Sequence, residues 1–298
     1  MNHKTIKGYL FAILSAMIYG CMPLMAKHIY ADGVTAFTLV FFRNFFSLLP
    51  LALLAYRERK TLKFPRKQLP MMSLISILGC CITPILLFSS YQFIASGTAT
   101  VLHFIYPAVV VISEILFFKR KAQAINLISV LLCIVGISFF HSPGESLRFT
   151  GSALALLSGV AFASYVILLS HFDNRNVSGF LFCFYVAAIS SIASLIICIT
   201  TNNLVLPSSL TGWGLCVLFS LLVTTGAVAL FQQSAFLIGS ERTSILSTLE
   251  PITGVTLGVI ALGEPLGLRA VFGSLLVVAA SILIAVFDMH KKAAPKSP

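Results

Sequence analysis

The 298-residue chain is 58% hydrophobic and 10% charged, with a mean hydropathy of +0.99, whereas a soluble domain of this length carries about a quarter charged residues. That much apolar surface exceeds what one aqueous core can hide, which excludes a soluble globular protein and leaves a polytopic membrane protein. The net charge of +11 does not mark a nucleic-acid partner, because the Lys and Arg residues lie in short connections and tails and leave no basic folded face to track phosphates.

Apolar runs of near twenty residues, each able to cross a hydrocarbon layer about 30 Å thick, predict spans over 8–29, 34–56, 70–92, 97–118, 123–141, 150–171, 178–200, 211–238, 243–262 and 266–287. The opening "MNHKTIKGYLFAILSAMIYG" has a basic start like a signal peptide. Its apolar stretch is long and no small-residue cleavage site clearly interrupts it, so it is expected to be an uncleaved first span. In the second span, Arg43 of "LVFFRNFF" lies about nine residues inside the outer end, roughly 14 Å at helical rise and too deep to snorkel out easily. It either binds a substrate carboxylate or ties down helix-end carbonyls. The third and fourth spans are divided around "IASGTAT" with almost no loop. All seven cysteines fall within apolar runs without a C-x-x-C pair, and read as small buried hydrophobes.

Ten spans put both chain ends on one side. With the N-terminus inside, the inner segments hold Lys4 and Lys7; Arg57, Arg59, Lys60, Lys63, Arg66 and Lys67; Lys119, Arg120 and Lys121; Arg175; Arg242; and Lys291, Lys292 and Lys296. The outer segments hold only Lys27, Arg148 and Arg269. Positive residues are retained on the cytoplasmic side during insertion, so a multi-pass protein of the inner (cytoplasmic) membrane with both termini cytoplasmic is expected.

The sequence also repeats. Gly8, Ala12, Leu14 and Ser15 recur 143 positions later as Gly151, Ala155, Leu157 and Ser158, and Leu102 and Pro107 are matched by Leu246 and Pro251. Two halves of five spans follow. An odd repeat enters the membrane from the opposite side the second time, and inverted halves are a transporter signature because exchanging their conformations alternates access. The expected fold is an all-α membrane protein of ten transmembrane helices, built as two inverted five-helix repeats around a central cavity.

Within that frame Glu250 stands out, directly before Pro251 in the ninth span. At 100° per residue Thr243, Ser247, Glu250 and Gly254 share one polar, small-residue face. An ionised Glu facing lipid costs a few kcal/mol, so this face is expected to turn toward protein or a watered cavity. Pro251 removes a backbone donor and frees carbonyls in the preceding turn, which is tolerated at membrane depth in the same setting. A carboxylate there either binds a cationic group or carries a proton, and the sequence leaves both open. The matching face of the fourth span offers His103 and Tyr106 opposite Ser247 and Glu250. Gln232 in the eighth span, with Tyr19 in the first and Tyr165 in the sixth, completes the candidate cavity lining. Gly254 and Gly258 form a G-x-x-x-G that permits close helix approach.

These features resemble the EamA-type family of the drug/metabolite transporter superfamily over nearly the whole chain. The resemblance rests on the two repeats, the Arg-bearing "FRNFFSLLPLALL", and "SAFLIGSERTSILSTLEPITGVTLGVIALGEPLG", in which Glu-Pro is followed by Gly263–Glu264 before the last span. The first half departs from this pattern, with Tyr106 before Pro107 and Lys119–Arg120 in place of Gly-Glu. The resemblance implies EamA-type five-helix repeats over 1–144 and 145–298, a basket of ten helices, alternating access, and export of small metabolites, amino acids or toxic compounds. The expected function is a secondary transporter exporting amino-acid-like or other small organic metabolites. It would act without cofactor or metal on a small-molecule substrate in the bilayer, driven by a substrate or ion gradient since no P-loop is present. The alternatives are a proton-coupled efflux pump for lipophilic cations exchanging at Glu250, and a non-transporting membrane sensor or scaffold. An intramembrane enzyme is disfavoured by the lack of H-E-x-x-H, of paired membrane aspartates and of a Ser/His arrangement.

Overall fold

A computed structural model describes residues 3–59, 63–117, 124–139, 146–172, 177–238, 243, 246–247, 249–264 and 267–293. The regular elements among them are all helical. The chain runs through α1 (His3–Gly20), α2 (Met22–Ala31), α3 (Ala36–Phe45), α4 (Leu48–Arg59), α5 (Leu69–Ser76), α6 (Thr83–Ser90), α7 (Ser96–His103) and α8 (Tyr106–Leu116). It continues through α9 (Ala124–Ser138), α10 (Ser146–Ser170), α11 (Gly179–Thr200), α12 (Leu210–Phe219), α13 (Val228–Ile238), α14 (Leu249–Leu262) and α15 (Leu268–Ala293). Seven uninterrupted or stacked helical stretches are long and apolar enough to cross a membrane, and three shorter apolar helices accompany them among the described residues. Their outer faces carry large exposed apolar side chains such as Leu10, Leu53, Ile192, Ile196 and Phe272. Lipid is the solvent that accepts such a surface.

Several spans are subdivided in ways that hydropathy does not reveal. The first begins earlier than expected, at His3, and pauses at Cys21 before α2, whose first turn contains Pro23. The fourth breaks at Phe104–Ile105, one turn ahead of Pro107. Pro251 lies within the first turn of α14 and the helix continues through it. Two π-helical segments, Ile77–Ile82 and Ser220–Ala227, begin 143 positions apart, the same offset that relates the sequence repeats. In the first of them Pro84 cannot donate to the Cys80 carbonyl four residues back. That carbonyl instead accepts Asn44 Nδ2 at 3.1 Å, and Thr83 Oγ1 donates to Leu78 O at 2.7 Å.

The packing follows the repeat as well. Gly8, Ala12, Ala16 and Gly20 form a buried small-residue stripe on α1, and Gly151, Ala155, Gly159 and Ala163 form one on α10. Small residues at period four let helix backbones approach in lipid, where dispersion replaces the hydrophobic drive. Gly8 abuts Leu237 and Ile238; Gly151, 143 positions on, abuts Phe93 and Ile94. Accordingly α1 packs on α13 and α14, while α10 packs on α6 and α7. The pairs α11 with α3 and α4, and α9 with α15, each join the matching spans of the two halves.

The approach of α10 to α7 is close enough to test. A Cβ on Gly159 would sit 2.6 Å from the His103 carbonyl oxygen, which is backbone and cannot swing aside. Gly159→Val is expected to cost roughly 1–3 kcal/mol through overpacking, read as a lower unfolding temperature of the purified protein in detergent. A control change at the exposed neighbour, Val160→Ala, is expected to leave stability within about 0.5 kcal/mol.

Candidate substrate site

Arg43 is positioned by both π segments. Its carbonyl accepts Ser220 Oγ at 2.7 Å and its Nε donates to Thr224 Oγ1 at 3.3 Å, while the adjacent Asn44 reaches Cys80 O in the other segment. The guanidinium lies over the Phe88 ring, 5.8 Å from its centroid. The residue is only 6% exposed. Among the described residues its terminal nitrogens make no hydrogen bond and no carboxylate pairs with it. The sequence offered anchoring and substrate binding as alternatives. The structure shows Nε anchored to a side-chain hydroxyl and the rest of the fork uncommitted.

Glu250 occupies the first turn of α14. Its backbone carbonyl faces Gly20, where a Cβ would come within 3.0 Å of it and would overlap Thr253. One turn later Gly254 faces Gly20 O and Thr100. The break after Gly20 and the start of α14 thus meet at the Glu250 backbone. Glu250 has no ion-pair partner among the described residues. The phenols of Tyr19, Tyr91 and Tyr106 all lie within its electrostatic reach, and Tyr19 and Tyr91 are within that of Arg43 too. Tyr19, Cys80, Tyr106, Tyr165 and Glu250 are deeply enclosed, yet each keeps partly accessible surface. Enclosure with residual accessibility is the property of side chains that line an internal space.

An aromatic wall flanks these groups. Tyr106 meets Phe162 edge-on with centroids 4.8 Å apart, and Phe162 continues to Tyr165 at 5.2 Å. Tyr165 lies so flat on Gly79 that any Cβ there would enter its ring. Among the described residues the Tyr91 hydroxyl is buried without a well-formed hydrogen bond, with the Thr100 side chain close by, an expensive condition for an O–H in a dry interior.

The structure divides the remaining candidates. His103 packs its ring on Tyr106 and Phe162, but its Nδ1 is 2.8 Å from Ser158 Oγ, whose own proton goes to Ala155 O at 2.6 Å. The hydroxyl therefore accepts and Nδ1–H donates, so that one ring nitrogen of His103 is tied to Ser158 on α10. Ser247 is buried and donates to Thr243 O, four residues back, at 3.0 Å. The side chain of Gln232 lies outside the described residues. Sequence reasoning missed Phe88, Tyr91, Phe162 and Thr224; of these, Tyr91 and Thr224 carry hydroxyls in apolar runs that could have drawn notice. No group of three His, Cys, Asp or Glu able to hold a metal occurs among the described residues.

A second charged centre lies at the other end of α2. Lys27 Nζ pairs with Glu264, which also accepts Ser96 N at 3.0 Å, Ser96 Oγ at 2.7 Å and Gly97 N at 3.3 Å. Burial pushes the Glu264 carboxyl up, but the bonds from Lys27 and Ser96 outweigh it and hold the group below the usual carboxylate range. The cluster is accordingly ionised at neutral pH. Nearby, Asp32 accepts Ser209 N at 3.1 Å, and those hydrogen bonds lower its carboxyl in the same direction.

Comparison with known proteins agrees with this architecture. The profile of the EamA-like transporter family matches residues 6–141 and 149–286. A Clostridium kluyveri protein named as an uncharacterized transporter is 25% identical across 96% of this chain and 95% of its own. The Salmonella typhimurium protein YicL, named as an uncharacterized inner membrane transporter, is 23% identical across 97% of this chain and 98% of its own. A solved crystal structure superposes with a TM-score of 0.66 at 14% identity, covering 96% of this chain and 98% of that one, a likeness of fold. With both halves matched, the chain belongs to the EamA-like transporter family of the drug/metabolite transporter superfamily, and is a multi-pass membrane transporter and not an enzyme.

Proposed function

We propose that the protein exports amino-acid-like metabolites from the cytoplasm across the inner membrane by alternating access. Ten crossing helices form two inverted five-helix halves, 1–144 and 145–298, around a cavity lined by Arg43, Glu250, Tyr19, Tyr106 and Tyr165. The π segments and small-residue stripes that recur at the repeat offset support the inverted halves. The bias of Lys and Arg toward alternate loops supports cytoplasmic termini, and the inner-membrane naming of YicL supports the compartment.

The observation that carries the substrate class is the pairing of opposite charges without a bond between them. Arg43 and Glu250 both face the tyrosine cluster, and neither has an ionic partner among the described residues. A zwitterion would use both charges, its carboxylate on the guanidinium and its ammonium on the carboxylate, with the apolar remainder against the aromatic wall. Proteoliposomes loaded with a panel of isotope-labelled amino acids, organic acids and amines test this. Efflux of zwitterions above that of empty-vector membranes is the expected result; flux of none of the panel would overturn the amino-acid-like substrate class. The unpaired Glu250 also favours a second reading, proton-coupled efflux of lipophilic cations, which predicts dye efflux that Arg43→Met leaves intact.

A further inference from the structure

The Lys27–Glu264 cluster ties together three parts of the chain that meet at one end of the bundle: α2, the start of α7, and the turn after α14. Glu264 is the knot. Its carboxylate takes the Lys27 ammonium and three donors from Ser96 and Gly97, and its side chain is only 9% exposed. A charge-assisted cluster of this kind is stronger than an exposed ion pair, which is worth little. The local backbone is built to deliver it. Gly263 has φ +62°, turning the chain so that Glu264 N bonds Gly258 O at 3.0 Å, and Gly258 has no side chain to obstruct the carboxylate. Beneath the knot α7 and α14 touch backbone to backbone, since a Cβ on Gly97 would lie 2.9 Å from Val255 Cα. The gap between Gly97, Val255, Val259 and Glu264 has room for about one water molecule.

Both α2 and α7 are half-helices. The first is jointed to α1 at Cys21, the second to α8 at Phe104–Ile105. Their joints flank the Glu250 region: Gly20 faces the Glu250 carbonyl, and His103 and Tyr106 border the second joint. Segment ends that absorb backbone rotation are where hinged closure is located.

We infer that Lys27, Glu264 and the N-terminus of α7 form a latch that shuts the outer mouth of the transporter, with α2 and α7 as the hinged halves that part when it opens. The outer location rests on the topology proposed above. The opposite mouth has no equivalent carboxylate. The positions that repeat Lys27 are Ser170 and His171, and those that repeat Glu264 are Arg120 and Lys121. Inverted halves of identical sequence would populate the two access states equally, so a latch at one end only tilts the balance. The resting transporter faces inward, as an exporter that loads from the cytoplasm requires.

Cys80 reports on the latch because it lies beside Tyr19, Arg43 and Tyr165 and is partly accessible. The full chain with Cys80 as its sole cysteine is treated with a charged, membrane-impermeant methanethiosulfonate, applied to either face of oriented vesicles. Glu264→Gln is expected to raise the labelling rate from the outer face on the order of tenfold, and Lys27→Met by less, because it leaves α7 capped. Arg269→Gln, a change at an exposed outer cation beyond the cluster, should leave the rate as it was. Unfolding temperature, followed in parallel, separates opening from loss of fold. Unchanged outer labelling in both variants overturns the latch. A rise from the cytoplasmic face alone overturns its outer placement and the topology with it. Neither result touches the substrate assignment, which the flux panel tests separately.

Discussion

Arg43→Met is expected to lower export of carboxylate-bearing substrates by roughly 30-fold or more while leaving the unfolding temperature unchanged or higher. The two halves of that expectation have one cause. Arg43 holds a charge in a nearly water-free site on the strength of one 3.3 Å bond to a neutral hydroxyl and one ring contact at 5.8 Å. Taking a guanidinium out of water costs several kcal/mol, and such neutral contacts recover only part of it. Methionine has a similar reach, fills irregular space and packs well against an aromatic ring such as Phe88. Thr224 is not stranded, since a helical threonine can turn its hydroxyl to a carbonyl of the preceding turn. Stability therefore has little to lose. Binding has much to lose, because removing one partner of a desolvated charge pair costs about 2–5 kcal/mol. Arg43→Lys should fall between, keeping the charge without the planar fork that matches a carboxylate. A large drop in unfolding temperature together with normal flux per folded molecule would identify Arg43 as a structural anchor and remove it from the site.

How far the sequence alone reached depends on the kind of signal each feature leaves. Spans leave long periodic ones, and the helices among the described residues follow them, with His3 and Ala293 reaching beyond the expected ends of the first and last. Cys21 and Phe104–Ile105 are pauses of one or two residues inside unbroken apolar runs, and hydropathy does not change across them. The π segments leave no periodic trace either. Pro84 leaves a clue in the sequence, since it cannot bond the Cys80 carbonyl, but only the fold brings Asn44 to that carbonyl. Glu250 and Arg43 were legible as charges where charges are costly. Their side-chain environment was not, because helical phase gives direction and says nothing of neighbours. Helical phase thus did not foresee that the Ser247 hydroxyl bonds Thr243 O or that His103 Nδ1 bonds Ser158. Tyr91 shows the converse. It sits at the end of the third span, an ordinary place for an interfacial tyrosine, and tertiary packing alone buries its hydroxyl among the charged groups.

Glu250→Gln carries the second large effect, and its pattern across substrates is more informative than its size. The substitution keeps the shape of the side chain and one acceptor oxygen while removing the charge. A zwitterion loses its ammonium partner and is expected to be exported at least about 30-fold more slowly. A simple carboxylic acid of the same bulk never used that partner, so its flux should hold or rise. Arg43→Met reverses the order, sparing amines and penalising acids. Crossed selectivity of this kind cannot arise from general misfolding, which lowers every flux together. If both residues grip one molecule, the double variant R43M/E250Q should lose less zwitterion flux than the two single losses multiplied, because the second change removes a contact already compromised by the first. Should Glu250 instead carry a coupling proton, the outcome differs in a measurable way. Gradient-driven export of every substrate would then fail in Glu250→Gln, while exchange of labelled for unlabelled substrate at equal pH would continue, since counterflow needs the substrate site and no proton. Retained zwitterion counterflow would thus transfer Glu250 from substrate binding to energy coupling, and loss of counterflow confined to ammonium-bearing substrates places it at the substrate.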